Sequence, residues 1–320
     1  MDNNSKIYIA GNSGMVGSAL VKKLKSAGFN DFIVRSHKEL NLINQNDVLG
    51  FFKNAKPDIV FIAAAKVGGI NANNTYRGQF LYENLMIQNN IIHAAHKIGV
   101  KKLMFLGSAC IYPRNSPQPI KEEHLLTDKL EFTNEPYAIA KIAGIKLCEN
   151  YYRQYGSDFI SIMPNNLYGA NDNYDLKNSH VLPALMRKFH EAKINNNKSV
   201  EIWGTGKPLR EFLHVDDLAD ACVYLMNNLD AKTLYSSDIS HINIGSGEEV
   251  SIKELAIMIK NIVCYQGDIV FNLEYPDGMP RKLLDVSRLN SMGWNSKIKL
   301  DDGLASVYKW YLDTRAEQIL

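Results

Sequence analysis

Tyr137 and Lys141 stand four residues apart in the pattern Y-x-x-x-K. On a helix that spacing puts both side chains on one face. A lysine charge favours the tyrosinate, so it is expected to pull the phenol's pKa down toward neutrality. The pair could then deliver a proton to a carbonyl oxygen, or remove one in reverse. The lysine could also bond a nicotinamide ribose. Y-x-x-x-K is common by chance and gains meaning only from its surroundings. Ser108 follows a strand-like stretch, Lys102–Gly107. Its hydroxyl either bonds the same carbonyl oxygen or is an ordinary turn serine, and both readings stay open.

The surroundings supply a dinucleotide loop. Gly11, Gly14 and Gly17 form G-x-x-G-x-x-G around Met15 and Val16, between a first strand and a first helix. Glycine permits the tight turn and the close backbone approach that a pyrophosphate needs, and the helix N-terminus offers unpaired N–H groups. At the end of the second strand an acid would hold the ribose hydroxyls of NAD. Here the chain reads Arg35, Ser36, His37 and Lys38, with the first acid at Glu39. Cations and a hydroxyl suit a 2′-phosphate, so NADPH/NADP is expected over NADH. A solvated basic turn is the plain alternative.

The elements that must position these residues alternate strand and helix. Strands are predicted over Lys6–Ala10, Asp31–Arg35, Asp58–Ala65, Lys102–Gly107 and Phe159–Met163. Helices are predicted over Met15–Ala27, Phe80–Ile98 and Pro136–Tyr155, closed by Gly28, Gly99 and Gly156. This succession implies an α/β fold, a Rossmann-type doubly wound parallel sheet. Residues 1–164 are read as mainly the dinucleotide-binding domain. Residues 165–320 are read as mainly a smaller α/β substrate lobe, with segments returning to the first domain. That half is expected to hold helices over Val181–Lys193, Asp216–Asn227, Ile252–Ile262 and Asp302–Thr314, with strands at Val200–Trp203, His241–Ile244 and Ile269–Leu273.

Composition narrows the partners. Of 320 residues, 46% are hydrophobic and 22% charged, which suits a packed core. The net charge of +2, from 36 basic and 34 acidic residues, leaves no footprint for nucleic acid or an anionic membrane. No apolar run is long enough to span a bilayer and the start does not read as a signal peptide, so a cytoplasmic setting is expected. The four cysteines lie far apart, without metal or disulfide spacing, and no metal is expected. Cys148, Cys222 and Cys264 read as core residues. On residue type alone, Cys110 reads as a small buried hydrophobe and His180 as a loop or cap residue.

The chain resembles the GDP-L-fucose synthase family of extended short-chain dehydrogenases. The likeness runs through GMVGSAL (14–20), AAAKVGGINANNTY (63–76), NIIHAAHKIGVKKLMFLGSACIYP (90–113), NEPYAIAKIAGIKLCE (134–149), NSHVLPALMRKFHEA (178–192), PLREFLHVDD (208–217) and PDGMPRKLLDV (276–286). The resemblance implies a GDP-linked keto sugar as substrate and two chemistries in one pocket. Carbons 3 and 5 are inverted through enediolates, with Cys110 and His180 as the acid–base pair, and the order of their roles is open. Hydride then passes from NADPH to carbon 4 while Tyr137 protonates the oxygen. The resemblance also implies that His180 borders the cofactor and that Arg187, Trp203, Arg210 and Lys282 engage the substrate. Asn166 either touches substrate or caps a turn. A homodimer is implied through the helices near 80–98 and 136–155, whose Ile91, Ile142 and Ile145 are either seam or core.

The chain departs from the family at Asn12-Ser13, His37, Asn165 and the segment 170–177. The first two remove or weaken phosphate-reading cations. The others lie on the sugar side and allow a substrate altered near carbon 6. One alternative is therefore a single-function GDP-4-keto-heptose reductase serving capsule polysaccharide synthesis. A non-enzymatic dinucleotide sensor is a third class, disfavoured because both Tyr137 and Lys141 are present.

Overall fold

The structure is a computed structural model describing residues 1–176, 179–275 and 277–316. Lys177, the last residue of the segment 170–177, and Asn178 and Pro276, the first residues of the segments 178–192 and 276–286, lie outside the described residues, as do residues 317–320. The strands are β1 Ile7–Ala10, β2 Phe32–Ile33, β3 Ile59–Ile62, β4 Lys102–Leu106, β5 Phe159–Pro164, β6 Asn166–Tyr168, β7 Ser199–Trp203, β8 Leu209–His214, β9 Ile242–Ile244, β10 Glu249–Ser251, β11 Asp268–Asn272 and β12 Arg281–Lys282.

A six-stranded sheet runs in the order β2-β1-β3-β4-β5-β9, parallel throughout. Its strands are apolar on both faces because both faces are covered. Ile7, Ile9, Ile59 and Phe61 enter one core, and Tyr8, Ala10, Val60 and Ile62 the other. The strand order reverses between β1 and β3, where open α/β sheets leave a crevice for ligands. The helices Arg77–Ile98 and Glu135–Tyr155 close with Gly99 and Gly156 in the left-handed conformation, as predicted. Ile91, Ile142 and Ile145 are buried in the second core, which decides between the two readings given above in favour of core.

A second sheet, β10-β8-β12 with β6 also on β8, and the parallel pair β7–β11 build the smaller lobe over a third core. The chain leaves that lobe to place β9 on the first sheet.

Three of the departures from expectation have a local cause. β2 is shorter than Asp31–Arg35, because the Arg35 guanidinium turns onto the Phe51 ring (5.5 Å) and Ser36 begins a turn held by Glu39. The helix Gln45–Ala55 is absent from the sequence reading. Asn44 caps it through Asn46 N (3.0 Å) and Asp47 N (3.3 Å), and its polar first turn masks the periodicity. Cys264 is exposed rather than core, because it is the left-handed cap (φ 59°) of the helix Ile252–Val263.

Candidate active site

The glycine loop is shaped for a group that backbone must approach. Gly11 has φ +83°, and a Cβ there would stand 2.8 Å from Ala64 N, beyond the end of β3. A Cβ on Gly17 would strike the Gly11 carbonyl. Gly14 caps the helix Met15–Ser26 without a side chain, and no acid occupies its first turn. The helix N-terminus, with Met15 and Val16 as its first residues, is therefore open to an anion. Asn12 Oδ1 is buried there without a protein partner. The glycine turn and the open helix N-terminus fit a dinucleotide pyrophosphate, while the Asn12 oxygen would need a donor such as a ribose hydroxyl. Arg35 and His37 lie exposed beyond β2. Arg35 Nη1 donates to Val34 O (2.8 Å), while Glu39 accepts from Ser36 N (2.7 Å) and Oγ (2.8 Å), so a 2′-phosphate would compete for groups already in use.

Tyr137 and Lys141 lie on the helix Glu135–Tyr155, with Pro136 in its first turn. Gly144 lets it settle on β4, since a Cβ there would meet the Phe105 ring (2.5 Å). Lys141 is buried, and its ammonium donates to Leu106 O at 2.8 Å. It lies 4.8 Å from the Phe105 ring centroid and 5.7 Å from that of Tyr137. Burial draws the Lys141 ammonium down to about 8, opposed by the nearby Cys110. The Phe80 ring packs edge-on against Tyr137 at 6.2 Å.

The sequence predicts a lowered phenol pKa at Tyr137, and the structure reverses this. Burial and then Cys110 push it up, while Ser108 opposes them. The lysine charge is directed at the Leu106 carbonyl. A phenol held protonated is the form that donates to a carbonyl under reduction.

Ser108 ends β4 and precedes the short turn Ala109–Ile111, making no side-chain cap bond. Its hydroxyl instead favours the ionised forms of both Tyr137 and Cys110. Cys110 is buried, which raises its thiol pKa, against Lys282, Ser108 and Lys141, which lower it. His180 precedes the helix Val181–Ile194 and caps it without a side-chain bond. It keeps an exposed surface, yet the groups packed around its ring, and then Lys282, push its imidazole below the ordinary range. At rest the site thus holds a thiol and a neutral imidazole, both coupled to Lys282.

Residues 7–245 match the pattern of the "NAD dependent epimerase/dehydratase family". The chain belongs to that family. Family members similar to this chain include GDP-L-fucose synthase 1 of Arabidopsis thaliana, 57% identical over 97% of this chain and 94% of the relative. GDP-L-fucose synthase of Escherichia coli K12 is 53% identical over 97% of each chain. Among solved structures, a GDP-6-OMe-4-keto-L-xylo-heptose reductase from C. jejuni superposes with TM-score 0.94 at 46% identity, covering 98% of this chain and 99% of that one. A GDP-mannoheptose C4 reductase from Campylobacter jejuni, solved with NADP bound, gives TM-score 0.90 at 49% identity over 97% and 99%.

For an epimerase/dehydratase family member, the remaining predicted residues fall in two groups. Arg210 on β8 pairs in register with Lys282 on β12, so two cations stand side by side. Burial lowers the pKa of each. Trp203 is exposed at the end of β7, but Tyr275 stacks on it (4.3 Å, 13°) and Lys188 Nζ lies 5.2 Å from its ring. Its flat face is therefore part of an assembled platform. Tyr275 was missed, although it sits two residues before Asp277 of a quoted motif.

Arg187 and Asn166 fit less well. Arg187 is engaged by Glu191 (2.6 Å) and Tyr174 O (3.1 Å). Asn166 Nδ2 donates across to Glu211 O on β8 (2.8 Å) and to Asn165 Oδ1 (3.2 Å), so its amide is engaged within the protein. Among the described residues no cluster of His, Cys, Asp and Glu could hold a metal. No described helix is long and apolar enough to cross a membrane.

Proposed function

We propose that the chain is an NADPH-dependent epimerase/reductase of a GDP-4-keto-6-deoxy hexose. NADPH supplies hydride to carbon 4 of the sugar. Tyr137 gives its proton to the carbon 4 oxygen, Ser108 orients that oxygen, and Lys141 restores charge balance behind the phenol. Cys110 and His180 exchange protons with carbons 3 and 5 from opposite faces, and Lys282 and Arg210 balance the diphosphate and the developing oxyanion.

The observation that carries this reading is the second acid–base centre. A simple reductase needs only the phenol. Here a buried thiol shares Ser108 with that phenol and is coupled to Lys282 and, through it, to an imidazole. The full-length likeness to GDP-L-fucose synthases supports the same substrate class.

A second reading, a single-function reductase of a GDP-4-keto-heptose, is favoured by the likeness to the two Campylobacter enzymes. Turnover of NADPH on matched deoxyhexose and heptose substrates tests the choice. Faster turnover on the deoxyhexose supports the first reading, and turnover confined to the heptose replaces it. The proposal further includes a cytoplasmic homodimer whose product enters surface polysaccharide. Exposed Tyr82 and Ile139 on the paired helices support the dimer.

A further inference from the structure

Trp203 ends β7 about half exposed, and the Tyr275 ring lies flat upon it, 4.3 Å between centroids and 13° from parallel. The two rings are held very differently. Lys188 Nζ stands 5.2 Å from the Trp203 ring while donating to Glu201 O (3.0 Å), two residues earlier on β7, so Trp203 is packed onto its own strand. Among the described residues no hydrogen bond or ion pair reaches the Tyr275 side chain, which is itself exposed. Tyr275 is held by the stack alone.

The backbone on either side of Tyr275 is fixed. Glu274 N donates to Asn272 Oδ1 (3.0 Å), and Asp277 accepts from Thr205 N (2.9 Å) and Thr205 Oγ1 (2.6 Å). The ring can therefore leave Trp203 by rotating about its own side-chain bonds, with the strands in place. The platform also adjoins two cations. Asp277 is tied to the turn that follows Trp203, and the next residue, Gly278, places its Cβ position 3.1 Å from Arg210 Nη2. Arg210 in turn pairs in register with Lys282. A flat aromatic face beside two cations matches a base followed by its diphosphate.

We infer that Tyr275 is an internal occupant of the base site: in the free protein its ring covers the face of Trp203 that the guanine of the GDP-sugar takes, and the base displaces it. Rings 4.3 Å apart leave no room for a base between them, so one ring must yield. Tyr275 is the one without another anchor. Exchanging one stacked ring for another spends part of the base's binding energy, so Tyr275 lowers the affinity for nucleotide.

This inference rests on the proposed GDP-sugar substrate, and GDP itself is the probe. Its affinity is measured by calorimetry with the full chain, with Tyr275→Phe and with Tyr275→Ala. Tyr275→Ala removes the competitor and should bind GDP about two- to tenfold more tightly, the worth of one stacked pair. Tyr275→Phe keeps the stack and should bind as the parent does. Tyr275 is exposed and belongs to none of the cores, so both variants should fold, and unchanged NADPH affinity checks this. Fluorine NMR reads the displacement directly. In a chain labelled with fluorotyrosine, the Tyr275 signal, assigned with Tyr275→Phe, should move toward that of the free amino acid when GDP is added. A base that stacks on the outer face of Tyr275 would instead weaken GDP binding in Tyr275→Ala and move the signal away from that position. Either of those results, or equal GDP affinity in the parent and Tyr275→Ala, overturns the inference and leaves the GDP-sugar reading standing. Absence of GDP binding by the parent and both variants would remove that reading and the inference with it.

Discussion

The Lys141 ammonium stands 5.7 Å from the centre of the Tyr137 ring and is anchored to the Leu106 carbonyl at 2.8 Å. The charge is thus held at the end of β4, beneath the phenol rather than at its oxygen. This position has a cost in stability. Burial lowers the Lys141 pKa from 10.5 to about 8, so between those values the unfolded chain holds more protons than the folded one. Stability therefore rises with pH across that window, and below it the fold carries the full cost of a buried charge, roughly 3 kcal/mol. Lys141→Met should raise stability at pH 7, by about 1–2 kcal/mol once the lost bond to Leu106 is counted. The gain should shrink as pH approaches 10 in thermal melts of the two proteins, while hydride transfer is abolished in the variant.

Tyr137→Phe removes the proton donor and leaves the cofactor cradle intact. Single-turnover NADPH oxidation should fall about 10²–10⁴-fold. Affinity for NADPH, followed by fluorescence, should change less than about twofold. Deuterium exchange at carbons 3 and 5 should persist, because the thiol and imidazole are untouched.

Cys110→Ser tests the other centre. A hydroxyl is far less acidic than a thiol, even one whose pKa burial raises. Deuterium entry at carbons 3 and 5 should slow by at least about 10²-fold. Hydride transfer to a keto sugar already inverted at both carbons should be retained. Equal loss of both reactions would show that the two chemistries are not separable in this pocket.

Gly17→Ala drives a methyl group into the Gly11 carbonyl, where only backbone could yield. A destabilisation of about 1–3 kcal/mol is expected in urea melts. NADPH should bind at least about tenfold more weakly, since the turn that receives the pyrophosphate must open. Gly50→Ala, where no atom lies within 4 Å of the added Cβ, serves as the control and should leave binding unchanged.

The parallel sheet was legible because its strands are apolar on both faces and its helices end in glycine. Gly28, Gly99 and Gly156 all adopt the left-handed conformation that the sequence implies. Tyr137, Lys141 and Ser108 were legible because a short motif and a strand end mark them, whereas Cys110 was marked only by the resemblance to the family. The second sheet was not. Its strands are two to six residues long, and β8 pairs with β6, β10 and β12 across large sequence separations. Local patterning carries no record of such pairings. The same holds for Glu211, which reads in sequence as a surface charge beside Arg210 and is fully buried in the fold. The phenol's raised pKa was likewise beyond spacing, since it depends on burial and on Cys110, neither of which Y-x-x-x-K encodes.

The most direct measurement of the central claim is product analysis in heavy water. The purified protein is given NADPH and GDP-4-keto-6-deoxy-D-mannose, and the product is read by mass spectrometry and NMR. The account predicts a sugar reduced at carbon 4 with deuterium at carbons 3 and 5, formed with one NADPH consumed per product. NADPH consumption with no deuterium at carbons 3 and 5, or no consumption at all, would contradict it.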